Sequence, residues 1–328
     1  MMRVTLEIVA KTLFGASLTS DQSTEVGRAM DVVTEFYTQP LPALFPVLAR
    51  VPTPLNRRFR RAVERLDEII FEVIRARRSH PSSAPPTAAT SSAPPTAATG
   101  GTDLLSMLLE ARDDDGGRMS DRQLRDEIMT LFLAGHETTA IALTFTWYLL
   151  AKHPAVRARL DEELENVLGD RLPTTADLPR LRFVDHVITE SMRLYPPAWS
   201  MGREATRDCE LAGYHVPSGM QVWFSQWVVQ RDPRWFSEPE RFDPSRWEGD
   251  LAKRIPRYAY FPFGGGPRLC IGNTFAMMEA VLIVATLARR TRVEVSPTYR
   301  EELLPAVTLR PRRGLPMIVR RVEGAGPA

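Results

Sequence analysis

The chain has 328 residues, of which 44% are hydrophobic and 25% charged, with 42 basic against 40 acidic side chains. This ordinary globular composition excludes a collagen-like, a wholly disordered or a polytopic membrane protein. The formal net charge of +2 gives no reason to expect nucleic acid as a partner. Cys209 and Cys270 are the only cysteines, which excludes a disulfide framework and a four-cysteine zinc site and suits a reducing compartment.

The N-terminal third is predicted to be helical. Apolar residues recur at helical spacing from Met2 onward without a capping residue, which fits either a frayed first helix or a chain that enters in the middle of a helix. Two more helices are predicted at 21–38 and 54–78. A duplicated SSAPPTAAT unit then occupies 82–90 and 91–99, and its composition predicts a flexible, low-complexity insertion over 80–101.

A short helix at 103–111 is followed by a much longer one. Ser120 and Gln123 form a capping box, and the helix should run to about Lys152, where His153-Pro154 ends it. Its centre is apolar enough for a membrane span, but Gly-His-Glu-Thr-Thr at 135–139 interrupts the apolar run. A carboxylate at mid-bilayer costs about 2.5–3.5 kcal/mol on insertion scales, so we expect a buried helix with a functional interruption.

The rest of the chain changes in texture. Further helices are predicted at 155–168 and 181–194, then short strands that include 214–217 and 221–224. A glycine-rich loop at 264–266 leads into a last helix at 272–290 and a strand-like tail. The sequence therefore predicts a mainly α fold with small β-sheets.

Cys270 is the strongest candidate for chemistry. It lies beside an arginine and just before an apolar helix, where the positive end of the helix dipole stabilises a thiolate. One thiolate without a second Cys or His nearby does not make a zinc site, but it suits a metal that arrives with its other ligands, as haem iron does. A structural buried cysteine is the alternative. A phosphate-binding loop is disfavoured, because no Gly-Lys-Ser/Thr follows the glycines.

Four motifs in a fixed order resemble the cytochrome P-450 family. The five residues Phe263, Gly266, Arg268, Cys270 and Gly272 match the haem-binding loop Phe-x-x-Gly-x-Arg-x-Cys-x-Gly. The segment 134–139 (Ala-Gly-His-Glu-Thr-Thr) resembles the oxygen-activation motif, Glu190 and Arg193 resemble Glu-x-x-Arg, and 239–242 (Pro-Glu-Arg-Phe) resembles the segment that completes this ion-pair set. The resemblance covers essentially the whole chain except the insertion. It implies a single, N-terminally incomplete domain of this fold over 1–328.

The resemblance implies a cofactor and the residues that bind it. Haem b would have the Cys270 thiolate as its axial metal ligand, with Phe263 and Gly272 in the binding loop. Arg268 would pair a haem propionate. Arg203 is implied as a second propionate partner, although a solvated strand arginine is an equally good interpretation of this residue.

The resemblance also implies roles for the polar residues outside the loop. Thr138 would act in oxygen activation, and Glu137 would relay protons; the alternative is a helix-packing Ala-Gly pair with an internally bonded hydroxyl. Glu190 and Arg193 would form a buried salt bridge that Arg241 joins from a later loop.

The implied function is a monooxygenase that inserts one atom of dioxygen into a small apolar substrate. A separate ferredoxin, flavodoxin or reductase would supply electrons, and no nucleic acid would bind. The expected location is the cytoplasm, with a membrane anchor left open. The alternatives are a truncated, non-catalytic relative that binds haem weakly or not at all, and a haem-thiolate peroxygenase or isomerase.

Overall fold

The structure is a computed structural model that describes residues 1–15, 19–37, 51–79, 103–249 and 251–322. The insertion predicted at 80–101 lies outside these residues. The helices are α1 (Met2–Phe14), α2 (Ser20–Tyr37), α3 (Pro54–Ser79), α4 (Leu104–Glu110), α5 (Asp121–Lys152), α6 (Pro154–Leu168), α7 (Arg182–Leu194), α8 (Gln226–Val229), α9 (Leu251–Arg254) and α10 (Asn273–Arg290).

The strands form four antiparallel pairs in the described part of the chain. They are β1 (Met201–Glu204), β2 (Cys209–Leu211), β3 (Tyr214–Val216), β4 (Gln221–Phe224), β5 (Thr291–Val295), β6 (Leu303–Pro305), β7 (Leu309–Pro311) and β8 (Met317–Arg321). The pairs are β1–β4, β2–β3, β5–β8 and β6–β7. The mainly α fold with small sheets is therefore confirmed, and the predicted helix bounds differ from the observed ones by at most about a residue at each end.

The chain divides into two compact units, residues 1–140 and 141–328, and the boundary falls within α5. The single domain inferred from the sequence stays a prediction. In the first unit α2 packs along α3, and α1 packs against α2 and α4. The Arg77 guanidinium at the end of α3 donates to Asp103 Oδ1 at 2.5 Å, to Ser106 Oγ at 2.6 Å and to the Phe14 carbonyl at 3.0 Å. This one side chain therefore joins the ends of α1 and α3 to the start of α4.

In the second unit α10 packs on α6 and α7, and polar side chains satisfy the helix ends. The Glu163 carboxylate accepts the Phe183 and Val184 N–H groups at 2.7 and 3.0 Å, which caps the start of α7. The Arg157 guanidinium donates to the Ala288 and Thr291 carbonyls, which caps the end of α10. These caps fix the start of α7 and the end of α10, the helix that directly follows Cys270.

The long helix α5 begins and ends as predicted, but no interruption is seen. Ser120 Oγ accepts the Gln123 N–H at 3.2 Å, and the helix then runs unbroken through 135–139 to Lys152. The Thr138 and Thr139 hydroxyls donate to the carbonyls of Ala134 and Gly135 at 2.8 and 3.1 Å. A carbonyl oxygen has two lone pairs, so it can accept this extra bond while the helical hydrogen bonds persist.

Length and composition alone would let α5 cross a membrane, and within the described residues it is the one helix of which this is true. Of its most apolar window, 61% is buried within the protein.

Candidate functional site

The cysteine loop, residues 261–272, is a chain of tight turns. The Gly264 N–H donates to the Phe261 carbonyl at 2.9 Å, and the Leu269 N–H donates to the Gly266 carbonyl at 3.1 Å. The Cys270 N–H then reaches back to the Phe263 carbonyl at 3.0 Å, which closes the loop on itself. The Cys270 side chain is exposed. The backbone therefore holds the thiol at the surface of the second unit and does not bury it as a core cysteine.

The glycines of the cysteine loop do different things. A Cβ at Gly265 would collide with the Tyr258 ring, and a Cβ at Gly264, whose φ is +74°, would lie 3.2 Å from Met201 Cε. These two glycines let the loop pack between Tyr258 and the start of β1. At Gly272 the nearest atom to such a Cβ is Cys270 Sγ, at 4.0 Å. Of these three positions, it is Gly272 that keeps the surroundings of the sulfur open.

Helix α10 begins directly after the sulfur. Its N-cap is Gly272, which has no side chain to accept the free N–H groups of the first turn. A negative charge on Cys270 would therefore lie next to the positive end of α10, which favours it electrostatically.

The side chains around the thiol combine apolar and cationic character. Ile271 is 92% exposed, Leu269 is 49% exposed, and Phe263 is half-buried. Arg268 of the same loop is exposed. Arg203 is also exposed; it lies on β1, two residues after the Met201 side chain that packs near Gly264, and among the hydrogen bonds of the described chain its guanidinium contacts only the neighbouring Gly202 carbonyl, at 2.8 Å. Exposed apolar groups beside free guanidinium groups match a flat, apolar ligand that carries carboxylates.

The donor set is compatible with haem iron. No group of three or more His, Cys, Asp or Glu that could hold a metal ion occurs in the part of the chain that the structure describes. A metal at Cys270 would therefore need to bring its other ligands with it, as iron in a porphyrin does. The residues present at the cysteine loop fit this cofactor.

Glu190 and Arg193 form the ion pair predicted from their spacing. Arg193 Nε and Nη2 donate to the two Glu190 carboxylate oxygens at 2.8 and 2.9 Å, and both side chains are fully buried. Glu190 also accepts Trp247 Nε1 at 2.9 Å and the Asp243 N–H at 3.1 Å. Arg193 Nη1 donates to the carbonyls of Gln230 and Pro239 at 2.9 and 2.7 Å. Both buried charges thus have several partners, as burial requires.

The third arginine of this network is Arg246, and the prediction of Arg241 was wrong. Arg246 Nε donates to Glu190 Oε1 at 2.8 Å, whereas the Arg241 guanidinium points outward and pairs with Glu238 at 2.9 Å. Arg241 contributes only its carbonyl, which accepts from Arg193 and Arg246 at 3.1 Å. The Asp243 side chain caps a short 3₁₀ helix at Pro244–Trp247, and this turn carries Arg246 and Trp247 inward. The Asp-Pro pair just before them was the available sequence signal.

Gln230 connects this network to the cysteine loop, and the sequence pattern did not single it out. Its Nε2 donates to the Met192 and Arg193 carbonyls at the end of α7, both at 3.1 Å, while its Oε1 accepts the Phe261 N–H at 3.1 Å. Tyr260 adds a hydroxyl bond to the Thr189 carbonyl at 3.1 Å. The start of the cysteine loop is thereby anchored to α7.

The polar motif of α5 belongs to the first unit. The Thr138 hydroxyl donates its hydrogen to the Ala134 carbonyl at 2.8 Å. The hydroxyl oxygen can therefore only accept any further hydrogen bond. Glu137 is 8% exposed. His136 is buried, its Nδ1 lies 3.0 Å from the Phe132 carbonyl, and Thr5 Oγ1 donates to its carbonyl at 2.9 Å. His136 is therefore a packed residue of the first unit.

Sequence reasoning missed Glu279, on the buried face of α10. Burial raises the pKa of this carboxyl to about 8, and neither of its oxygens has a hydrogen-bond partner in the described structure. The apolar pattern of α10 gave a weak signal, because a Glu stands where the helical period calls for a core residue.

Comparison with known proteins agrees with these features. The family profile described as "Cytochrome P450" matches residues 1–315. Cyclooctatin synthase of Streptomyces melanosporofaciens is 38% identical over 94% of this chain and 64% of its own length. Cyclooctat-9-en-7-ol 5-monooxygenase of the same organism and pentalenene oxygenase of Streptomyces avermitilis are also 38% identical, over 90% and 89% of this chain and 61% of their own lengths. The chain thus spans less than two thirds of these relatives.

Solved structures give the same assignment. The heme domain of cytochrome P450DA superposes with a TM-score of 0.81 at 27% identity, covering 98% of this chain and 67% of that one. Retinoic acid bound cyanobacterial CYP120A1 also superposes with a TM-score of 0.81, at 28% identity, covering 98% of this chain and 68% of that one. Because the family profile spans nearly the whole chain and the fold agrees, this chain belongs to the cytochrome P450 family.

Proposed function

We propose that the protein is a haem-dependent monooxygenase. The observation that carries this proposal is the exposed Cys270 thiol, held by a closed loop directly before the N-terminus of α10. In the overall reaction one oxygen atom of O₂ enters a substrate C–H bond, the other leaves as water, and two electrons and two protons are consumed. Haem with a thiolate ligand supplies the activation of O₂, because the thiolate donates electron density that favours O–O cleavage.

The chain's residues hold the cofactor in this proposal. Cys270 would supply the thiolate that binds the haem iron, and Gly272, where a Cβ would lie 4.0 Å from Cys270 Sγ, would leave room for the cofactor beside the sulfur. Arg268 and Arg203, both exposed, would pair the haem propionates, and the half-buried Phe263 would contribute apolar surface to the cofactor site. The positive end of α10, which begins directly after Cys270, would stabilise the thiolate and tune its electron donation.

Thr138 and Glu137 manage protons. The Thr138 oxygen would accept a hydrogen bond from a water molecule while the hydroxyl keeps donating its own hydrogen to the Ala134 carbonyl. The Glu137 carboxylate would take up a proton from solvent and pass it to this water molecule, which returns Glu137 to its charged form. Replacing Thr138 with Val removes the acceptor oxygen at nearly constant volume. The expected result is that more hydrogen peroxide is released for each molecule of product formed.

The proposed substrate is a cyclic, terpene-like hydrocarbon or alcohol. Support comes from the names of two relatives, which denote oxygenation of pentalenene and of a cyclooctat-9-en-7-ol. A separate ferredoxin, flavodoxin or reductase delivers the electrons. We place the reaction in the cytoplasm, where the free thiols of Cys209 and Cys270 stay reduced.

A spectrum tests the thiolate directly. Haem-loaded protein, reduced and exposed to carbon monoxide, should show the Soret band characteristic of thiolate ligation. Cys270→Ser should abolish this band, and the matched control Cys209→Ser, at the other exposed cysteine, should retain it. A band that survives Cys270→Ser would contradict the assignment of the ligand.

Haem titration separates this proposal from a haem-free relative. Stoichiometric, tightly held haem supports the proposal, and failure to bind haem supports the non-catalytic alternative. Product formed with hydrogen peroxide but not with a redox partner would favour the peroxygenase instead.

A further inference from the structure

The Glu301 carboxylate accepts hydrogen bonds from two tyrosine hydroxyls just before the β6–β7 hairpin. The Tyr148 hydroxyl donates to Glu301 Oε2 at 2.6 Å, and the Tyr195 hydroxyl donates to Glu301 Oε1 at 2.7 Å. Lys152 Nζ donates to the Tyr148 hydroxyl at 3.1 Å. Tyr148 is in α5, Tyr195 directly follows α7, and Glu301 lies two residues before β6. We call this the Glu301 clasp, and it consists of Tyr148, Tyr195 and Glu301.

The tyrosines of the clasp are held rigidly. The Tyr195 ring stacks on Phe145 with centroids 4.3 Å apart and an interplanar angle of 8°. Burial, then the bond to Glu301, raises the pKa of both tyrosine hydroxyls, so both stay protonated as donors. The two donors fix both oxygens of the carboxylate, which sets the direction in which the chain leaves Glu301 toward β6.

The other end of the hairpin is connected to the cysteine loop only through Trp199 and Met201. The hairpin tip, residues 306–308, is closed by the Pro305–Leu309 pair. The Ala306 carbonyl accepts the Trp199 indole N–H at 2.8 Å. Trp199 is two residues before Met201, which is the side chain that a Cβ at Gly264 of the cysteine loop would meet at 3.2 Å.

The tip presents an apolar side chain to solvent. Val307 is 66% exposed, whereas its neighbours Thr308 and Leu309 are buried. An exposed valine on a turn tied to the segment beside the cysteine loop is placed to touch an apolar substrate. The clasp at the base and the Trp199 bond at the tip together determine where this valine stands.

We propose that Tyr148, Tyr195 and Glu301 are positioning residues that set where Val307 meets the substrate and thereby which carbon is oxidised. This inference rests on the proposed monooxygenase function. The clasp touches neither substrate nor cofactor in this proposal and acts only through the hairpin. A displacement of about 1 Å at a reacting group can change a rate by up to about a hundredfold, so a loosened clasp should change the product ratio.

The test compares product ratios in haem-loaded protein with a redox donor and a panel of ring hydrocarbons that includes pentalenene. Tyr148→Phe, Tyr195→Phe and their combination remove hydroxyls at constant ring packing, and Glu301→Gln keeps one acceptor oxygen. We expect the combined variant to change the ratio of regioisomers by about threefold or more, with Glu301→Gln intermediate. Glu302→Gln is the matched control: this neighbouring carboxylate forms only exposed ion pairs, with Arg312 at 2.7 Å and with Arg313 at 3.7 Å, and its loss should leave the ratio unchanged.

Coupling to the tip distinguishes positioning from general damage. In a Val307→Gly background the tyrosine substitutions should no longer change the ratio, because the group through which they act is gone. An unchanged ratio in the combined variant, or a change of equal size in the Val307→Gly background, would overturn the inference.

A second readout needs no turnover. Amide hydrogen exchange of residues 303–311 in the haem-free protein should speed up in the combined variant and not in Glu302→Gln. If the wild type shows neither a thiolate band nor product, the proposed function fails, and the exchange rates still decide whether the clasp holds the hairpin. Unchanged exchange in the combined variant would refute the inference by itself.

Discussion

Two regions of the second unit treat polar groups in opposite ways. Around Glu190 and Arg193 the charges are fully buried, and each is surrounded by donors or acceptors from the chain itself. Around Cys270 the thiol and the adjacent Ile271 face solvent. The first region is complete without a ligand, whereas the second exposes apolar surface and a soft donor that the chain leaves uncovered. A buried and satisfied network therefore indicates a structural role, and an open and unsatisfied one indicates a binding site.

The largest expected change in unfolding free energy is in the buried network around Glu190 and Arg193. Arg193→Ala leaves the Glu190 charge buried without its main partner, which should cost about 3–5 kcal/mol of unfolding free energy in urea titrations. Arg241→Ala is the control, since its guanidinium forms only an exposed pair with Glu238 and should change the unfolding free energy by less than about 0.5 kcal/mol. If both variants lost the same unfolding free energy, the Arg241 side chain would have to be part of the buried network.

A smaller loss is expected for the arginine that the structure added. Arg246→Ala removes one of several donors to Glu190, so the expected cost is about 2 kcal/mol, measured by the same titration. A double-mutant cycle of Arg246→Ala with Glu190→Gln should show coupling: the two losses of unfolding free energy should not add up to the loss in the double variant. Additive costs would show that the 2.8 Å contact carries no stability.

Glu279 differs from both regions. It is buried like Glu190, but neither of its carboxyl oxygens has a hydrogen-bond partner in the described structure. Burial raises its pKa from 4.5 to about 8, so between these pH values the unfolded chain loses a proton that the folded chain keeps. Stability from this group should therefore be complete below pH 4.5 and fall as the pH rises toward 8. Glu279→Gln should stabilise the fold by roughly 3 kcal/mol at pH 7, because each of the roughly 2.5 pH units above 4.5 costs the wild type about 1.4 kcal/mol, and it should have little effect under acidic conditions.

The matched control for this pH dependence is Glu294→Gln. The Glu294 carboxylate is exposed and paired with Arg320, so its replacement should leave the slope of stability against pH nearly unchanged. A Glu279→Gln variant with the slope of the wild type would show that this carboxyl is not the group that titrates.

The smallest expected change in unfolding free energy is at the exposed cysteine loop. In haem-free protein Cys270→Ser should change the unfolding free energy by less than about 0.5 kcal/mol, because an exposed thiol contributes little to packing. Thermal unfolding with and without haem measures this. A large loss in the haem-free protein would mean that the thiol is a core group.

The sequence predicted local structure well and long-range pairing less well. Helical spacing and caps gave α5, α7 and α10 nearly to the residue, and the spacing of Glu190 and Arg193 gave their ion pair. These features depend on residues within a turn or two of each other. The partner of Glu190 from a later loop was misassigned, because the backbone between Glu238 and Trp247 turns Arg241 outward and Arg246 inward.

The amino-acid sequence by itself determined the helical order, the small strands and the cysteine loop with its arginine and glycines, because each depends on neighbouring side chains and backbone preferences. Tertiary structure alone decided that Arg246 completes the buried network, that Gln230 anchors the cysteine loop to α7, and that Glu301 holds two tyrosines. These contacts join residues 30 or more positions apart. Their formation depends on how helices and loops pack, and no local pattern in the chain specifies that.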